Sequence, residues 1–350
     1  MTGPPVYKFV LRAIRLRNYG RTVALSKLRI LITGGSGFIG TNLIEHLCNS
    51  GHREILNIDI SQPKIPGHNC FWINCDILNT EELLERFILF KPTVVVHLAA
   101  RTDSEGKSLA EYEANTKGTA NVLKCIDHCG SVVRAVITST QFVHYGKELP
   151  KDDNDYLPYT VYGESKVITE RLTREANLKC GWTIIRPTRV WGYWQPGRLA
   201  FYKMLRKGIY FHPGKQPVMR AFGYVGNVIY QIMQILHSEK DIVDRKVFYV
   251  GDMPINLVDW VEEFARQIGN RRVIYMPRFF VRTIAKVGDA LTKLGLPFPI
   301  STFRYKSLIT SDDAPMKLTF ETLGNPPYSL KQGVEETLTL LRKYYPYFLM

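Results

Sequence analysis

The chain has 350 residues, of which 45% are hydrophobic and 22% charged, an ordinary balance for a globular protein of one or two domains. No apolar run reaches the roughly eighteen residues of a membrane-spanning helix, and we recognise no cleavable secretory signal. The formal net charge of +14 favours polyanionic partners. No nucleic-acid-binding module accompanies it, so we expect no nucleic acid partner. Six scattered cysteines lack zinc-ligand spacing, which predicts no metal site and a reducing, cytoplasmic setting.

Much of the excess positive charge precedes the first predicted strand. Residues 1–27 contain six basic and no acidic residues, and they form a basic extension. One helical face of this segment is apolar; it carries Val6, Phe9, Val10 and Ile14. The pattern suits a helix on an anionic membrane, a helix packed on the protein or a basic tail, and the membrane alternative is the less favoured one.

From Leu28 onward, short apolar segments alternate with segments of helical periodicity. The predicted strands are residues 28–33, 54–60, 71–75, 93–98, 132–139, 183–186 and 247–250. The predicted helices are residues 41–50, 80–90, 113–129, 160–176 and 227–237. Such alternation indicates a parallel sheet covered on both faces. We predict an α/β fold with a Rossmann-type doubly wound parallel sheet from residues 28–190, to which residues 226–251 return. A smaller, mainly helical substrate lobe would comprise residues 191–225 and 252–350.

A glycine-rich turn, TGGSGFIG at residues 33–40, joins the first predicted strand to the first helix. Gly34 and Gly37 permit a tight turn and close approach of a pyrophosphate, and Gly40 lets the helix pack against the strand. The helix N-terminus would supply amide N–H groups and partial positive charge to the phosphates. This context predicts a dinucleotide site.

Two carboxylates follow the next strands. Asp59 ends the second strand, about twenty residues downstream of the glycine turn, where it would accept hydrogen bonds from the adenosine ribose and repel a 2′-phosphate. It therefore predicts NAD rather than NADP. Asp76, just past the third strand, could contact the adenine or cap its own loop.

Tyr162 and Lys166 lie four residues apart on one predicted helix and share a face. A nearby cation favours the phenolate, which would make Tyr162 a usable base or acid near neutral pH. Thr140 ends the fifth strand, at the sheet edge where ligands bind. It would hydrogen-bond a substrate hydroxyl or carbonyl, or else only cap the strand end.

In combination these motifs resemble the extended short-chain dehydrogenase/reductases, in particular the NAD-dependent nucleotide-sugar epimerases and dehydratases. The motifs are TGGSGFIG, IDI with Asp59, HLAA at residues 97–100, STQFVHYG at 139–146, YGESK at 162–166 and IIRPTRVWG at 184–192. The similarity extends from about Leu28 to Leu340.

The resemblance implies how NAD is bound. Backbone amides of Phe38 and Ile39 would contact the pyrophosphate, and Pro187 would lie beside the nicotinamide. Lys166 would hold the nicotinamide ribose and lower the pKa of the tyrosine. The residues implied to line the cofactor cleft are Leu98, Ala99 and Ala100.

The resemblance also implies substrate contacts and reveals two departures. Arg220 matches the arginine that clamps the substrate diphosphate, a task that suits its planar, two-donor fork. Arg189 stands where relatives often carry asparagine near the sugar or its phosphates. Gln141 and Phe142 replace the Asp-Glu pair of the dehydratases, so dehydration is disfavoured.

The resemblance thus implies epimerisation of a nucleotide-linked sugar in glycan precursor synthesis. Tyr162 would remove a hydroxyl proton as NAD⁺ takes hydride, Thr140 would steady the developing oxyanion, and hydride would return to the other face of the ketone. Net oxidation or reduction needs the same residues. A hydroxysteroid or other lipid-alcohol dehydrogenase is an alternative, but a sterol has no diphosphate for Arg220. A non-catalytic NAD-binding regulator is the third, although Thr140, Tyr162 and Lys166 are retained.

A second amphipathic segment lies near residue 285, where basic residues occupy a different helical face from an apolar stripe. We favour core packing for the stripe, while peripheral contact with an anionic membrane is left open. The resemblance likewise leaves open a homodimer. The residues of the stripe are Phe280, Ile284, Val287, Leu291 and Leu294.

Overall fold

The structure is a computed structural model that describes residues 28–345, except residues 147, 196, 197, 270, 271, 297 and 299. The basic extension predicted at residues 1–27 therefore lies outside the described residues. The three interpretations of it given above stay predictions. Within the described part of the chain, no helix is both long enough and apolar enough to cross a membrane.

Seven strands form one parallel sheet at the centre of the described residues. The strands of the chain are β1 (Ile30–Thr33), β2 (Ile55–Asp59), β3 (Trp72–Asn74), β4 (Val94–His97), β5 (Arg134–Thr138), β6 (Gly181–Pro187), β7 (Arg189–Trp191), β8 (Phe211–Pro213), β9 (Met219–Arg220), β10 (Phe222–Tyr224), β11 (Lys246–Val250), β12 (Ile255–Asn256) and β13 (Ile274–Met276). The sheet order is β3-β2-β1-β4-β5-β6-β11, and every neighbouring pair is parallel. The predicted Rossmann-type sheet is confirmed.

Helices cover both faces of this sheet and form most of the remaining lobe. They are α1 (Phe38–Asn49), α2 (Thr80–Phe90), α3 (Thr119–His128), α4 (Val161–Glu175), α5 (Leu199–Lys207), α6 (Val225–His237), α7 (Lys240–Val243), α8 (Leu257–Gly269), α9 (Arg278–Lys293), α10 (Thr302–Ile309), α11 (Lys317–Leu323) and α12 (Leu330–Tyr344). The bounds of α2 are as predicted, whereas α5 was not predicted. The mainly helical C-terminal part is confirmed.

Alternate residues of β1 face two different cores. Ile30 and Ile32 belong to a core that continues through α1 and α6 into the lobe, as far as Trp260 and Phe264 of α8. Leu31 faces the other side, in a core shared with α2 and α3. Because the first core is continuous, the lobe packs directly on one face of the sheet and its position over the strand ends is fixed.

The prediction of one α-helix over residues 113–129 is wrong in its first turn. A π-helical turn, Ala114–Gly118, precedes α3. Gly118 N donates to Glu113 O at 2.9 Å, while side chains of Thr119 and Thr169 donate to Asn115 O at 2.8 and 2.6 Å. The carbonyl of Asn115 is thereby satisfied outside the α-helical ladder, which accounts for the change of pitch.

The preference for core packing of the stripe near residue 285 is also wrong. Phe280, Val287 and Leu294 are exposed, and Ile284 and Leu291 are only half-buried. The face of α9 that packs on the protein lies about 100° around the helix from this stripe and consists of small or short side chains. These are Val281, Ala285 and Gly288.

A buried ion pair fastens α4 to the sheet. The side chains of Glu170 and Arg186 are both 0% exposed, and Arg186 Nε and Nη2 each donate at 2.8 Å to the carboxylate. Ser139 Oγ and Tyr156 Oη also donate to Glu170, at 2.6 and 3.0 Å. Arg186 Nη1 donates to Tyr249 Oη of β11 at 2.9 Å. Such a fully hydrogen-bonded pair is tolerated in the interior because neither charge lacks a partner.

Glu170→Leu should therefore leave Arg186 buried and unpaired, and lower the free energy of unfolding by about 3–5 kcal/mol. Urea unfolding followed by circular dichroism measures this. The control is the Glu170→Leu/Arg186→Met pair, which should recover most of the loss because neither charge then remains. A single variant within about 1 kcal/mol of the parent would contradict this assignment.

Candidate functional site

The glycine turn brings the backbone of β1 against the end of β4. Gly34 has φ +75°, and a Cβ atom there would lie 2.5 Å from Ala99 N. A Cβ atom at Gly40 would lie 2.4 Å from Gly34 O. Both positions therefore require glycine, the first for its left-handed backbone and close approach, the second for packing of α1 on the turn.

The N-terminus of α1 is open towards this turn. Gly37 is its N-cap residue, and within the described residues no side chain caps the helix and its first turn has no acidic residue. A Cβ atom at Gly37 would contact Gly34 O at 3.1 Å. The first-turn amides of Phe38, Ile39 and Gly40 and the positive end of the helix dipole fit a dinucleotide pyrophosphate.

Asp59 contacts the glycine turn from the end of β2. Its Oδ2 accepts a hydrogen bond from Ser36 N at 3.0 Å, and Oδ1 accepts from Ser61 N at 2.8 Å. Lys64 Nζ donates to Ser36 O on the same turn. Burial lowers the pKa of Lys64, and the charge of Asp59 opposes that shift. The sequence did not predict Lys64, which lies in a loop outside every motif.

Asp76 is exposed, and its Oδ1 accepts a hydrogen bond from Leu78 N at 2.9 Å. The Asp76 carboxylate thus caps its own turn through Oδ1, and contact with the adenine stays a prediction. Leu98, Ala99 and Ala100 follow β4 and are half-exposed. Leu98 N donates to Thr33 O at 2.9 Å and extends the pairing of β1 with β4.

His97 lies beneath this edge and is fully buried. Its Nδ1 is 2.7 Å from Thr33 Oγ1, and its Nε2 is 3.1 Å from Thr119 Oγ1. Burial lowers the pKa of His97 to about 3, and Lys166 lowers it further. The imidazole is therefore neutral, and it joins β1, β4 and α3 as a structural group.

Thr140, Tyr162 and Lys166 converge where β5 ends and α4 begins. The side chain of Thr160 caps α4 by accepting from Gly163 N at 3.0 Å, which places Tyr162 in the first turn and Lys166 in the second. Thr140 lies close enough to Tyr162 to lower the pKa of its phenol. Lys166 Nζ donates to Thr138 O at 2.9 Å. The structure therefore brings together the three residues that the sequence singled out for catalysis.

Burial shifts the pKa values of this pair in opposite directions. It raises the pKa of Tyr162 to about 12; Thr140 lowers it in part, and Tyr112 raises it. It lowers the pKa of Lys166 to about 8, against the opposing charge of Glu170. At pH 7 Tyr162 is a neutral phenol and Lys166 an ammonium. Thr140 favours the phenolate by lowering the pKa of Tyr162.

The π-helical turn supports this pair from behind. Asn115 Nδ2 donates to Ser165 Oγ at 2.9 Å, and Ser165 Oγ donates to Tyr162 O at 2.7 Å. The ring of Tyr112 packs on that of Tyr162, with centroids 6.2 Å apart. The sequence did not predict these positioning residues, since the contacts cross between elements distant in the chain.

Arg189 and Arg220 share one carboxylate on the lobe side of the cleft. Arg220 Nη1 donates to Asp312 Oδ2 at 2.8 Å, and Arg189 Nε donates to the same oxygen. The side chain of Arg220 is 3% exposed and that of Arg189 is 25% exposed. Arg189 also lies 4.9 Å from the centroid of the Phe142 ring. Asp312, which no motif indicated, holds the two predicted substrate residues together.

Gln141 follows Thr140 in the chain and lines a pocket together with Tyr145, Tyr249 and Asp312. It is buried, and among the described residues neither atom of its carboxamide has a hydrogen-bond partner. A buried amide without partners carries a free-energy penalty unless another group satisfies it. A substrate hydroxyl or a water molecule would do so.

Fold and site together define an NAD-binding enzyme of the short-chain dehydrogenase/reductase type. The family model of the NAD-dependent epimerase/dehydratase family matches residues 30–251. The chain belongs to this family, and its cofactor is NAD, as the sequence predicted from Asp59.

Known relatives agree with this assignment. The chain is 26% identical over 324 residues to N-acetyl-α-D-glucosaminyl-diphospho-ditrans,octacis-undecaprenol 4-epimerase of Escherichia coli O157:H7, covering 88% of this chain and 94% of the relative. It is 27% identical to the 3-β-hydroxysteroid dehydrogenase of Mycolicibacterium neoaurum, with 69% of each chain covered. The crystal structure of UDP-glucose 4-epimerase of Thermotoga maritima with UDP-glucose superposes with a TM-score of 0.69. Its sequence is 23% identical, and 90% of this chain and 99% of that one are covered.

Lys166→Met should stabilise the protein while abolishing turnover. The buried ammonium has its pKa lowered from 10.5 to about 8, so removing it should raise the free energy of unfolding at pH 7 by about 2 kcal/mol, after the lost bond to Thr138 is subtracted. The folded pKa lies below the unfolded one, so the penalty is complete below pH 8 and absent above pH 10.5. The advantage of the variant, measured by urea unfolding, should fade between these values. A less stable variant at pH 7 would contradict this prediction.

Asp59→Ser should shift cofactor preference towards NADPH. The substitution removes the charge that repels a 2′-phosphate and leaves the Lys64 ammonium beside the glycine turn, so NADPH affinity should rise on the order of tenfold while NADH affinity falls. Fluorescence titration with both nucleotides measures this. Adding Lys64→Met should remove the gain; an unchanged preference after Asp59→Ser alone would show that Asp59 does not face the ribose.

Proposed function

We propose that the protein is an NAD-dependent epimerase that inverts one hydroxyl-bearing carbon of a nucleotide-linked sugar through a transient ketone. The product would feed glycan precursor synthesis. The observation that carries the proposal is the convergence of Thr140, Tyr162 and Lys166 beside the glycine turn, with Arg189 and Arg220 across the cleft.

The residues at the strand ends are proposed to bind NAD. The open N-terminus of α1 would receive the pyrophosphate, Asp59 the adenosine ribose and Lys166 the nicotinamide ribose. These residues would hold NAD, which would supply the acceptor and then the donor of the hydride. The other residues proposed to contact the cofactor are Gly34, Gly37, Gly40, Asp76, Leu98, Ala99, Ala100 and Pro187.

Tyr162 would hold and move the proton of the reaction. It accepts the proton of the sugar hydroxyl as the ketone forms and returns it to the inverted hydroxyl. Its buried phenol needs positive charge nearby to ionise, which Lys166 and the nicotinamide ring would supply together. Thr140, which lies beside Tyr162 and lowers its pKa, would donate to the sugar oxygen as negative charge develops on it.

The arginine pair would anchor the substrate while the keto-sugar turns over. Arg189 is partly exposed to the cleft, and its planar guanidinium lies against Phe142. Arg220 is buried, and its Nη1 already donates to Asp312. Its other N–H groups would contact a diphosphate that lies next to Arg189. Asp312 would keep the two guanidinium groups aligned despite their mutual repulsion.

Gln141 and Phe142 disfavour dehydration, since they place a carboxamide and an aromatic ring where the dehydratases carry an acid and a base. The carboxamide of Gln141 would instead hydrogen-bond a sugar hydroxyl in the cleft. Epimerisation needs no further acid or base, because the proton and the hydride both return to the sugar.

A sterol or other lipid alcohol is the second candidate, and the Mycolicibacterium relative is its support. The charged group of Arg189, Asp312 and Arg220 at the cleft argues against it, because an apolar alcohol would leave those charges without a ligand. The Escherichia relative supports a sugar joined to a diphosphate. A diphosphate is common to that substrate and to a nucleotide sugar, and the two arginines would serve either.

Two further partners are proposed in addition to the substrate and the cofactor. The first is a second copy of the chain, for which the resemblance to the short-chain dehydrogenase/reductases is the support; light scattering measures it. The second is an anionic membrane, which the protein would contact peripherally. The support for this contact is the exposed amphipathic helix α9 together with the net charge of +14.

Turnover of a panel of UDP-, GDP-, CDP- and dTDP-sugars with added NAD⁺, followed by chromatography and mass spectrometry, tests the reaction. We expect a product of unchanged mass and new retention. In D₂O the product should carry no carbon-bound deuterium, because the hydride returns to the carbon that it left. Tyr162→Phe should lower kcat by about 10²–10⁴-fold and leave NADH binding intact.

Loss of water would show that dehydration was wrongly dismissed. A two-hydrogen change matched by NADH would indicate a simple dehydrogenase. No turnover of any nucleotide sugar, with NADH still bound, would overturn the proposed substrate class and direct the test to lipid alcohols.

A further inference from the structure

Helix α9 and the turn after it expose apolar side chains. Phe279, Phe280 and Val287 are 63%, 51% and 51% exposed, and Leu294 and Leu296 are 76% and 56% exposed. The two phenylalanine rings pack on each other, with centroids 4.0 Å apart. Single exposed apolar residues are ordinary, but five on one helix and its following turn form a patch. We call these five residues the α9 apolar face.

The α9 apolar face is supported from behind by packing. Val281 and Ala285 are buried against Tyr305 of α10. A Cβ atom at Gly288 would lie 2.0 Å from Ile300 O, so α9 meets this segment at a distance that only glycine allows. The core side of α9 is therefore already occupied, and the exposed side cannot be buried by rolling the helix over.

Positive charge borders the α9 apolar face. Arg282, Lys286 and Lys293 are exposed and lie at helical spacing along one edge of it. Between residues 272 and 309 the sequence contains seven basic residues and one acidic residue, Asp289. Asp289 Oδ1 accepts a hydrogen bond from Thr302 N at 3.1 Å. The outer side of α9 is thus apolar and cationic.

This combination matches the interface of an anionic bilayer in both respects. Apolar side chains of such helices enter the boundary between headgroups and acyl chains, while lysine and arginine meet the lipid phosphates. Two other occupants fit poorly. Residues 1–27 carry six basic and no acidic residues, and a second copy would oppose its own cations to those of the first. Like charges repel in both cases.

We propose that the α9 apolar face, bordered by Arg282, Lys286 and Lys293, docks the protein on an anionic lipid bilayer. This assigns a surface to the membrane contact proposed above. Docking by α9 is separate from the proposed reaction, since none of these residues belongs to the cleft.

Co-sedimentation of the full chain with vesicles tests the proposal, with phosphatidylcholine alone compared with equal parts of phosphatidylcholine and phosphatidylglycerol. We expect binding to the mixed vesicles that weakens as salt is raised, because charge contributes to it. Phe279→Ser/Phe280→Ser should bind the mixed vesicles roughly tenfold less tightly or worse. Arg282→Glu/Lys286→Glu should also bind them less tightly.

The matched control is Ile88→Ser/Leu89→Ser, which removes two adjacent apolar side chains of α2 that are 47% and 65% exposed. It should bind the mixed vesicles as the parent does. NADH affinity should be unchanged in every variant, which shows that each is folded and keeps the result independent of any turnover.

If the parent and Phe279→Ser/Phe280→Ser bound the mixed vesicles equally, the proposal would be overturned, because another part of the chain would then bind the lipid. Absence of parent binding to the mixed vesicles would overturn it as well. If, in that case, light scattering showed the α9 variant alone turning a dimer into a monomer, the face would be a contact between copies.

Discussion

The reversal of strand order beside β1 determines where every part of the site lies. From β1 the chain moves outward to β2 and β3, then returns to place β4 on the other side of β1. A crevice must open between the two connections at the carboxyl ends of the strands. The glycine turn, Asp59, the segment after β4 and Thr140 all follow strands that end at this edge. Tyr162 and Lys166 are then brought over it by α4.

The ionisable side chains at this edge are buried at a cost to the stability of the fold. Lys166 and Tyr162 are each buried in a setting that disfavours the charged form, so their pKa values shift away from each other. Surrounding groups compensate by fixing geometry rather than by neutralising charge: Thr138 O accepts from Lys166, and the Glu170–Arg186 pair anchors α4 below. Active sites commonly hold such buried ionisable side chains in a rigid surrounding structure, so that bound ligands supply the charges that stabilise them.

Local signals in the sequence predicted much of this, and long-range contacts account for what was missed. The bounds of α2 were predicted because its start is a local Asn79 cap. The π-helical turn before α3 was missed because Asn115 is held by a side chain distant in the chain. Lys64 and Asp312 were missed because the residues that they contact are distant in the chain. The face of α9 was assigned wrongly because helical periodicity is the same whether an apolar stripe meets a core or a lipid surface.

The position of β11 has a consequence for how the protein is made. This edge strand of the sheet, residues 246–250, pairs with β6 only after β7 to β10 and the helices before β11 have been synthesised. A nascent chain that has emerged only as far as β6 exposes an unpaired, apolar strand edge, the kind of surface on which aggregation begins. Folding of the nucleotide-binding half is therefore tied to synthesis of part of the lobe, and chaperone protection matters most during that interval.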